Sequence, residues 1–383
     1  MNHPSLLIPI LWSSFTALGL AGPIETIWLT HATNRPETIV VNWETEAPGD
    51  SVVEYGTSKE LGKTARSDKP ATLHHVEIPL AQRGVDYYYR VRSGDDVSGV
   101  SHFKGTPEGK PGDELRIAIV GDWGGGGKDV SAIVADDVHL LITAGDNVAN
   151  LHEKGKQGIK AYSGLINHYR DLFRTTPFMP ILGNHDRELT PRGPKPPDHA
   201  VYDIDATAYR EFFELPGDEW KWYFDIPEFD VRFIALDLNH ISDFGSTWQT
   251  CHAWQPDSAQ FKWYAETMAS TSSAFVFTLM NEKQSAVNGL AKGAWHEHFR
   301  HGSALVSGFG YFADRAELAG GLPYFNTCLK GDGTLYLDPK SQFHSQEDNY
   351  LLLTFQAGNQ VMTVQFKNLR GDVLDMKGIS RRN

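Results

Sequence analysis

The sequence predicts two domains, an all-β sandwich over residues 22–105 and an α/β layered domain over residues 114–383. Three observations predict this. The chain has 383 residues, more than one domain ordinarily holds. Residues 24–104 carry short alternating runs of β-branched and aromatic residues separated by turn formers. Beyond residue 113, apolar runs alternate with helical stretches, the rhythm of an α/β fold. A hydrophobic fraction of 40% and a charged fraction of 22% suit a sizeable buried core.

In chain order, Met1 to Ser5 precede an apolar run from Leu6 to Ala21, and Gly19-Leu20-Ala21 offers small residues where a signal peptidase cuts. Residues 1–21 therefore read as a secretory signal peptide, although no Lys or Arg precedes the apolar run. An uncleaved anchor is the alternative, but the run is short for a membrane span. Signal removal leaves no other segment apolar enough to cross a bilayer. The chain is expected to be secreted, extracellular or periplasmic.

The strands of the first domain are expected at Thr38 to Trp43, Ser51 to Gly56, His75 to Ile78, Asp86 to Arg92 and Ser101 to Lys104. Trp43 and either Tyr88 or Tyr89 belong to its core. Thr106 to Asp113 is a linker rich in Pro, Gly and charge. At the far end, Tyr350 to Phe355 and Val361 to Phe366 form a hairpin around Gly358-Asn359. The net charge of −13 argues against a nucleic-acid partner, whose phosphates need a basic face. It does not argue against a small phosphorylated substrate or an acidic ligand, since a metal supplies positive charge locally. Cys251 and Cys328 are the two cysteines, either paired or two buried thiols. The oligomeric state is not legible.

Three motifs carry chemistry. Arg116 to Val120 leads into Gly121-Asp122-Trp123-Gly124. Leu140 to Ala144 leads into Gly145-Asp146-Asn147. Met179 to Leu182 leads into Gly183-Asn184-His185-Asp186. Each is an apolar run that delivers hard oxygen or nitrogen donors at its C-terminal end, where α/β proteins bind ligands. Singly, each reads as a turn. Their order, and spacings of 24 and 38 residues from Asp122 to Asp146 to Asn184, point to two neighbouring cations that share a carboxylate. A phosphate-binding loop is the poorer reading of Gly124 to Gly127, because Lys128 is followed by Asp129.

These motifs resemble the opening blocks of the calcineurin-like metallophosphoesterases, and GDWGG with GDN is most similar to purple acid phosphatases. A fibronectin type III-like sandwich ahead of the catalytic domain fits the larger members of that family. Trp222 to Asp225, Val231 to Asp237 and Ala259 to Trp263 resemble its middle strands and following helix. The resemblance implies two β-sheets sandwiched between helices. It implies that Asp122 binds one metal, Asp146 bridges two and Asn184 binds the second. It also implies that His185 contacts phosphate or protonates the leaving oxygen, with Asp186 orienting it. The metals would be divalent or trivalent ions (Fe, Zn or Mn), if any are bound.

The later blocks depart from the family. Ala149 stands where it has a Tyr, Asn281 where it has a His, and Phe309 and Tyr311 where it has Gly-His-x-His. Four of seven usual ligands are thus replaced. Asn281 offers a weak amide oxygen, and Tyr311 a phenolate. His240, His252 and Glu282 are candidate replacement ligands. His296, His298 and His301 read as a solvated helix face. Two functions follow: a phosphomonoesterase with an incomplete site and weak or altered activity, or a non-catalytic scaffold that binds a ligand or a protein.

Overall fold

A computed structural model describes residues 24–124, 127–153, 155–333 and 335–382. The expected signal peptide lies outside the described residues. Residues Ile27–Lys104 form a β-sandwich built on two long strands, Thr38–Gly56 and Lys63–Pro79. The first half of Thr38–Gly56 pairs in one layer with Ile27–Thr30 on one side and with the second half of Lys63–Pro79 on the other. The second half of Thr38–Gly56 pairs in a second layer with the first half of Lys63–Pro79 and with Asp86–Ser93, which in turn pairs with Ser101–Lys104. Register shifts between Glu44 and Ser51 let the strands turn from one layer to the other. Ile39, Val41 and Trp43 of one layer share a core with Val53, Tyr89 and Val91 of the other. Alternation along Asp86–Ser93 buries Tyr87 and Tyr89 and turns Tyr88 outward onto His102.

The rest of the chain forms two packed sheets with helices outside. One sheet is mixed: Glu114–Val120 pairs in parallel with Leu140–Thr143 and antiparallel with Asn349–Gln356. The expected hairpin, Asn349–Gln356 with Val361–Asn368, extends this sheet. A further strand, Val373–Ser380, completes its edge. The other sheet is centred on three parallel strands, Val231–Ala235, Phe275–Met280 and Ala304–Ser307. These strands are buried along their whole length, as strands covered on both faces must be. Phe275 and Phe277 of this sheet meet Phe355 of the other at centroid distances of 5.6 and 6.0 Å, which is where the sheets pack. Ile159–His168 and Thr207–Phe213 cover the first sheet. Ala259–Ser270 and Ala294–Phe299 cover the second.

The two cysteines are both buried and unpaired. His298 is half-buried edge-on against Phe261 and Tyr264, and His296 binds the Ala319 carbonyl, so these histidines are not simply a solvated face. Among the described residues, no helix is long and apolar enough to cross a membrane.

Candidate metal centre

The parallel strands of both sheets end at one seam. Val120 is level with Thr143, so Asp122 and Asp146 leave neighbouring strand ends together. Asn281 and Gly308 leave the ends of Phe275–Met280 and Ala304–Ser307 on the opposite side of the seam. The seam is tight. A Cβ on Gly121 would lie 2.0 Å from the Thr327 carbonyl oxygen and 2.6 Å from Gly308 Cα, so only glycine lets the sheets meet there. Asp122 and Asp146 follow their glycines with φ of 42° and 54°, in the left-handed region that Asp tolerates better than most residues.

Both acids are buried. The Asp146 carboxyl is pushed well above the usual carboxylate range, first by burial and then by the negative fields of Asp122 and Asp186. Against this it accepts a hydrogen bond from the His185 backbone N–H at 3.1 Å. The ion pairs found among the described residues bring no Lys, Arg or His side chain to Asp122 or Asp146.

Asn184 is buried and its side chain is hydrogen-bonded to the Tyr202 phenol. His185 opens a short 3₁₀ turn, His185–Arg187, and its side chain is 32% exposed at the rim. The expectation for Asp186 is corrected. Its carboxylate turns inward to accept from Gly183 N at 2.8 Å, Asn147 N at 3.2 Å and Asn147 Nδ2 at 3.0 Å. It therefore clamps the second motif to the third, and burial raises it to about 6. The carboxylate beside the imidazole belongs to Glu188, whose Oε2 lies 3.2 Å from His185 Nδ1. Residues three apart eclipse in a 3₁₀ turn, whereas adjacent ones diverge.

Of the later positions, Asn281 reaches the centre. Its Nδ2 donates to the Ala144 carbonyl at 2.8 Å and the Gly308 carbonyl at 2.5 Å, and lies 3.5 Å from Asp122 Oδ1. Those two acceptors fix the amide orientation, so a donor faces Asp122. Tyr311 is also there: burial and the fields of Asp122, Asp146 and Cys328 raise its phenol. The Phe309 ring packs on Tyr336 instead, at 6.1 Å. Ala149 lines a cavity of about 470 Å³ with Val148, Leu165 and His168.

The candidate replacement ligands are engaged elsewhere. His252 Nδ1 binds Asp237 Oδ2 at 2.7 Å and its ring stacks on Trp220 at 3.8 Å. His240 faces Arg192 and Asp243, with His185 close enough to affect it. Glu282 accepts from the backbone of Ile241 and Lys283. Sequence reasoning missed Cys328, whose Sγ lies 3.2 Å from Asp122 Oδ2 and accepts from the backbone of Tyr311 and Phe312. It follows Pro323–Asn326, a strand parallel to Ala304–Ser307, so its place at a C-terminal strand end was the available signal. Among the described residues, no three His, Cys, Asp or Glu side chains gather in metal-binding geometry.

Residues 115–319 match the model of the calcineurin-like phosphoesterase family. The fold is similar to that of purple acid phosphatase PPD1 from yellow lupin (Lupinus luteus) seeds, with a TM-score of 0.72 and 14% identity over 94% of this chain and 75% of that one. It is also similar to PhoD, with a TM-score of 0.69 and 13% identity over 94% of this chain and 90% of that one. At these identities the likeness is one of fold. No curated protein matches the chain.

Proposed function

This chain belongs to the calcineurin-like phosphoesterase family, with a purple acid phosphatase-like fold, and from that premise we propose that it is a secreted phosphomonoesterase with an incomplete dinuclear site and weak turnover. The observation that carries this reading is the buried Asp122–Asp146 pair, which meets no cationic side chain among the described residues. Two carboxylates in such surroundings call for a proton or a bound cation. The donors fit one divalent or trivalent ion, held by Asp122, Asp146 and Asn184. They do not fit a second, because Asn281 presents an amide N–H where an imidazole would be needed, and the Phe309 ring, turned onto Tyr336, offers no donor at all. When bound, such an ion activates water and neutralises phosphoryl charge. His185 sits at the rim beside Glu188, placed to pass a proton to the leaving oxygen of a small phosphomonoester. Residues 1–21 direct export, so mature chains begin at Gly22. We also propose the domain division 22–105, 106–113 and 114–383.

A second reading, a non-catalytic scaffold for a phosphorylated or other acidic ligand, is favoured by the Asn281 amide. Bonded to the Ala144 and Gly308 carbonyls, it closes the seam without any metal. One experiment separates the two. The mature protein is dialysed against a mild chelator, its bound transition metals are counted, and aryl phosphate hydrolysis is followed. The expected result is about one metal per chain with slow hydrolysis that Asp146→Ala abolishes. No metal and no hydrolysis by a folded protein selects the scaffold. Two tightly held metals would overturn the incomplete site.

A further inference from the structure

The second sheet has a cavity at the end opposite the metal centre. The strand Ala304–Ser307 leaves Ser303 at one end and reaches Gly308, on the seam, at the other. Around Ser303 opens a cavity of about 620 Å³ whose lining includes Arg300, His301, Lys377, Arg381 and Arg382, with Glu317 as its acid. Five basic residues against one acid contrast with a chain whose net charge is −13.

Part of this positive charge has no local counter-charge, and the rest is paired only with exposed carboxylates. Arg382 donates to three backbone carbonyls, those of Thr271 and Ser273 at 3.2 Å and of His301 at 2.7 Å. Carbonyls satisfy its hydrogen bonds but carry no counter-charge. Burial and the neighbouring Arg232 hold its guanidinium below its usual value, as expected where positive charges crowd. Among the described residues, Lys377 and His301 have no carboxylate partner. Arg300 pairs with Glu297 at 3.0 Å, but the two side chains are 48% and 66% exposed, so the pair is weak and easily exchanged. Arg381 pairs with Asp230, itself 52% exposed.

We infer that this cavity is a second ligand site, separate from the metal centre, for a soluble small molecule bearing two or more phosphate- or sulfate-like oxyanions. The cations stand on three separate segments: the helix-to-strand connection at Arg300 and His301, the strand carrying Lys377, and the Arg381–Arg382 segment after it. A single monovalent anion would engage one of them, whereas a polyvalent anion bridges several. Guanidinium and ammonium groups are suited to such oxyanions. The cavity is also roomy enough for a small ligand.

The test is calorimetric titration with inorganic tripolyphosphate at low ionic strength, carried out in wild type and in Asp146→Ala, which disables the metal centre. The expected result is binding in both. The double variant Arg300→Glu, Lys377→Glu should weaken it by about tenfold or more. The same charge change on the sandwich, Lys59→Glu with Lys63→Glu, should alter it by less than about twofold. Lys377→Ala, on an edge strand, serves if the double variant does not fold. Absence of binding, loss of binding in Asp146→Ala, or equal weakening by the sandwich variant would each overturn the site. A parallel sedimentation with phosphatidylcholine vesicles containing phosphatidylserine separates the sources of the anion. Capture by these vesicles without tripolyphosphate binding overturns a soluble ligand.

Discussion

Gly183 stands so close to Asp146 that a Cβ on it would lie 2.0 Å from Oδ1 and 2.4 Å from the backbone nitrogen. Neither atom has freedom to move, since Asp146 N and Cα belong to a turn with φ of 54° and its carboxylate is buried. Gly183→Ala is therefore expected to destabilise the protein by about 1–3 kcal/mol, the usual cost of overpacking, and to displace Asp146. Gly164 is the contrasting case. It lies within the helix Ile159–His168, and an added Cβ meets nothing within 4 Å. Gly164→Ala should stabilise by roughly 0.5–1 kcal/mol. Urea denaturation of the two variants reads both effects, and a neutral Gly183→Ala would disprove the account of the seam. The same scale explains why Glu188, rather than Asp186, accompanies His185. A 3₁₀ turn decides which side chains share a face, and sequence adjacency does not.

At the scale of elements, the sandwich carries, on its strands and just past the end of one, histidines that burial holds neutral. His31, His74 and His75 are each lowered from the ordinary value to about 4, chiefly by desolvation. For a base whose folded value is depressed, the unfolded chain binds the proton first. Stability is then full above about 6.5 and is lost as pH falls from there to about 4. His31 is fully buried, donates from Nδ1 to the Thr38 carbonyl at 2.7 Å and packs on Phe224 at 4.8 Å. It should contribute up to about 3 kcal/mol to this acid sensitivity, at roughly 1.4 kcal/mol per unit. Asp186 acts in the opposite sense: its raised value penalises the fold above about 6 and relieves it on acidification. Thermal unfolding between pH 7 and pH 4 should show the wild type losing stability and His31→Gln losing less. Equal slopes for the two would mean that His31 does not titrate with folding.

The whole molecule depends on how the sandwich sits on the α/β domain. Trp28 lies flat on Phe212, with centroids 4.0 Å apart and an interplanar angle of 4°, and belongs to the core of the larger domain. Around it, Asn34 donates from Nδ2 to the Tyr223 carbonyl at 2.7 Å and accepts from Asp225 N at 2.8 Å. Tyr89 donates to the Arg174 carbonyl at 2.9 Å, and Arg83 meets Glu228 at 2.9 Å. An indole that stands on a sandwich strand and is buried in the core of the other domain couples their unfolding. Calorimetry of the wild type should show one transition. Trp28→Ala should cost about 3–5 kcal/mol and split that transition in two. Two transitions in the wild type would refute the coupling.

The sequence by itself determined the fold class and most strand positions, because alternation and apolar runs are written within ten residues or fewer. Val231–Ala235, Phe275–Met280 and Ala304–Ser307 form where their apolar runs place them. The strand Val373–Ser380 was not legible: among its residues Ile379 alone is buried, so no apolar pattern marks it. Nor were the long extensions of Thr38–Gly56 and Lys63–Pro79 through residues 44–50 and 63–72, which are mostly polar and held by the pairing of the two strands along their length. The motifs named Asp122 and Asp146, but only the tertiary structure brought Cys328 to Asp122 across 206 residues of sequence. It also set the Asn281 amide between two carbonyls and gathered a basic cavity from residues near 300 and near 380. Contacts of that kind depend on which strand ends meet at a seam or an edge, and that is settled by packing two sheets face to face rather than by any local pattern.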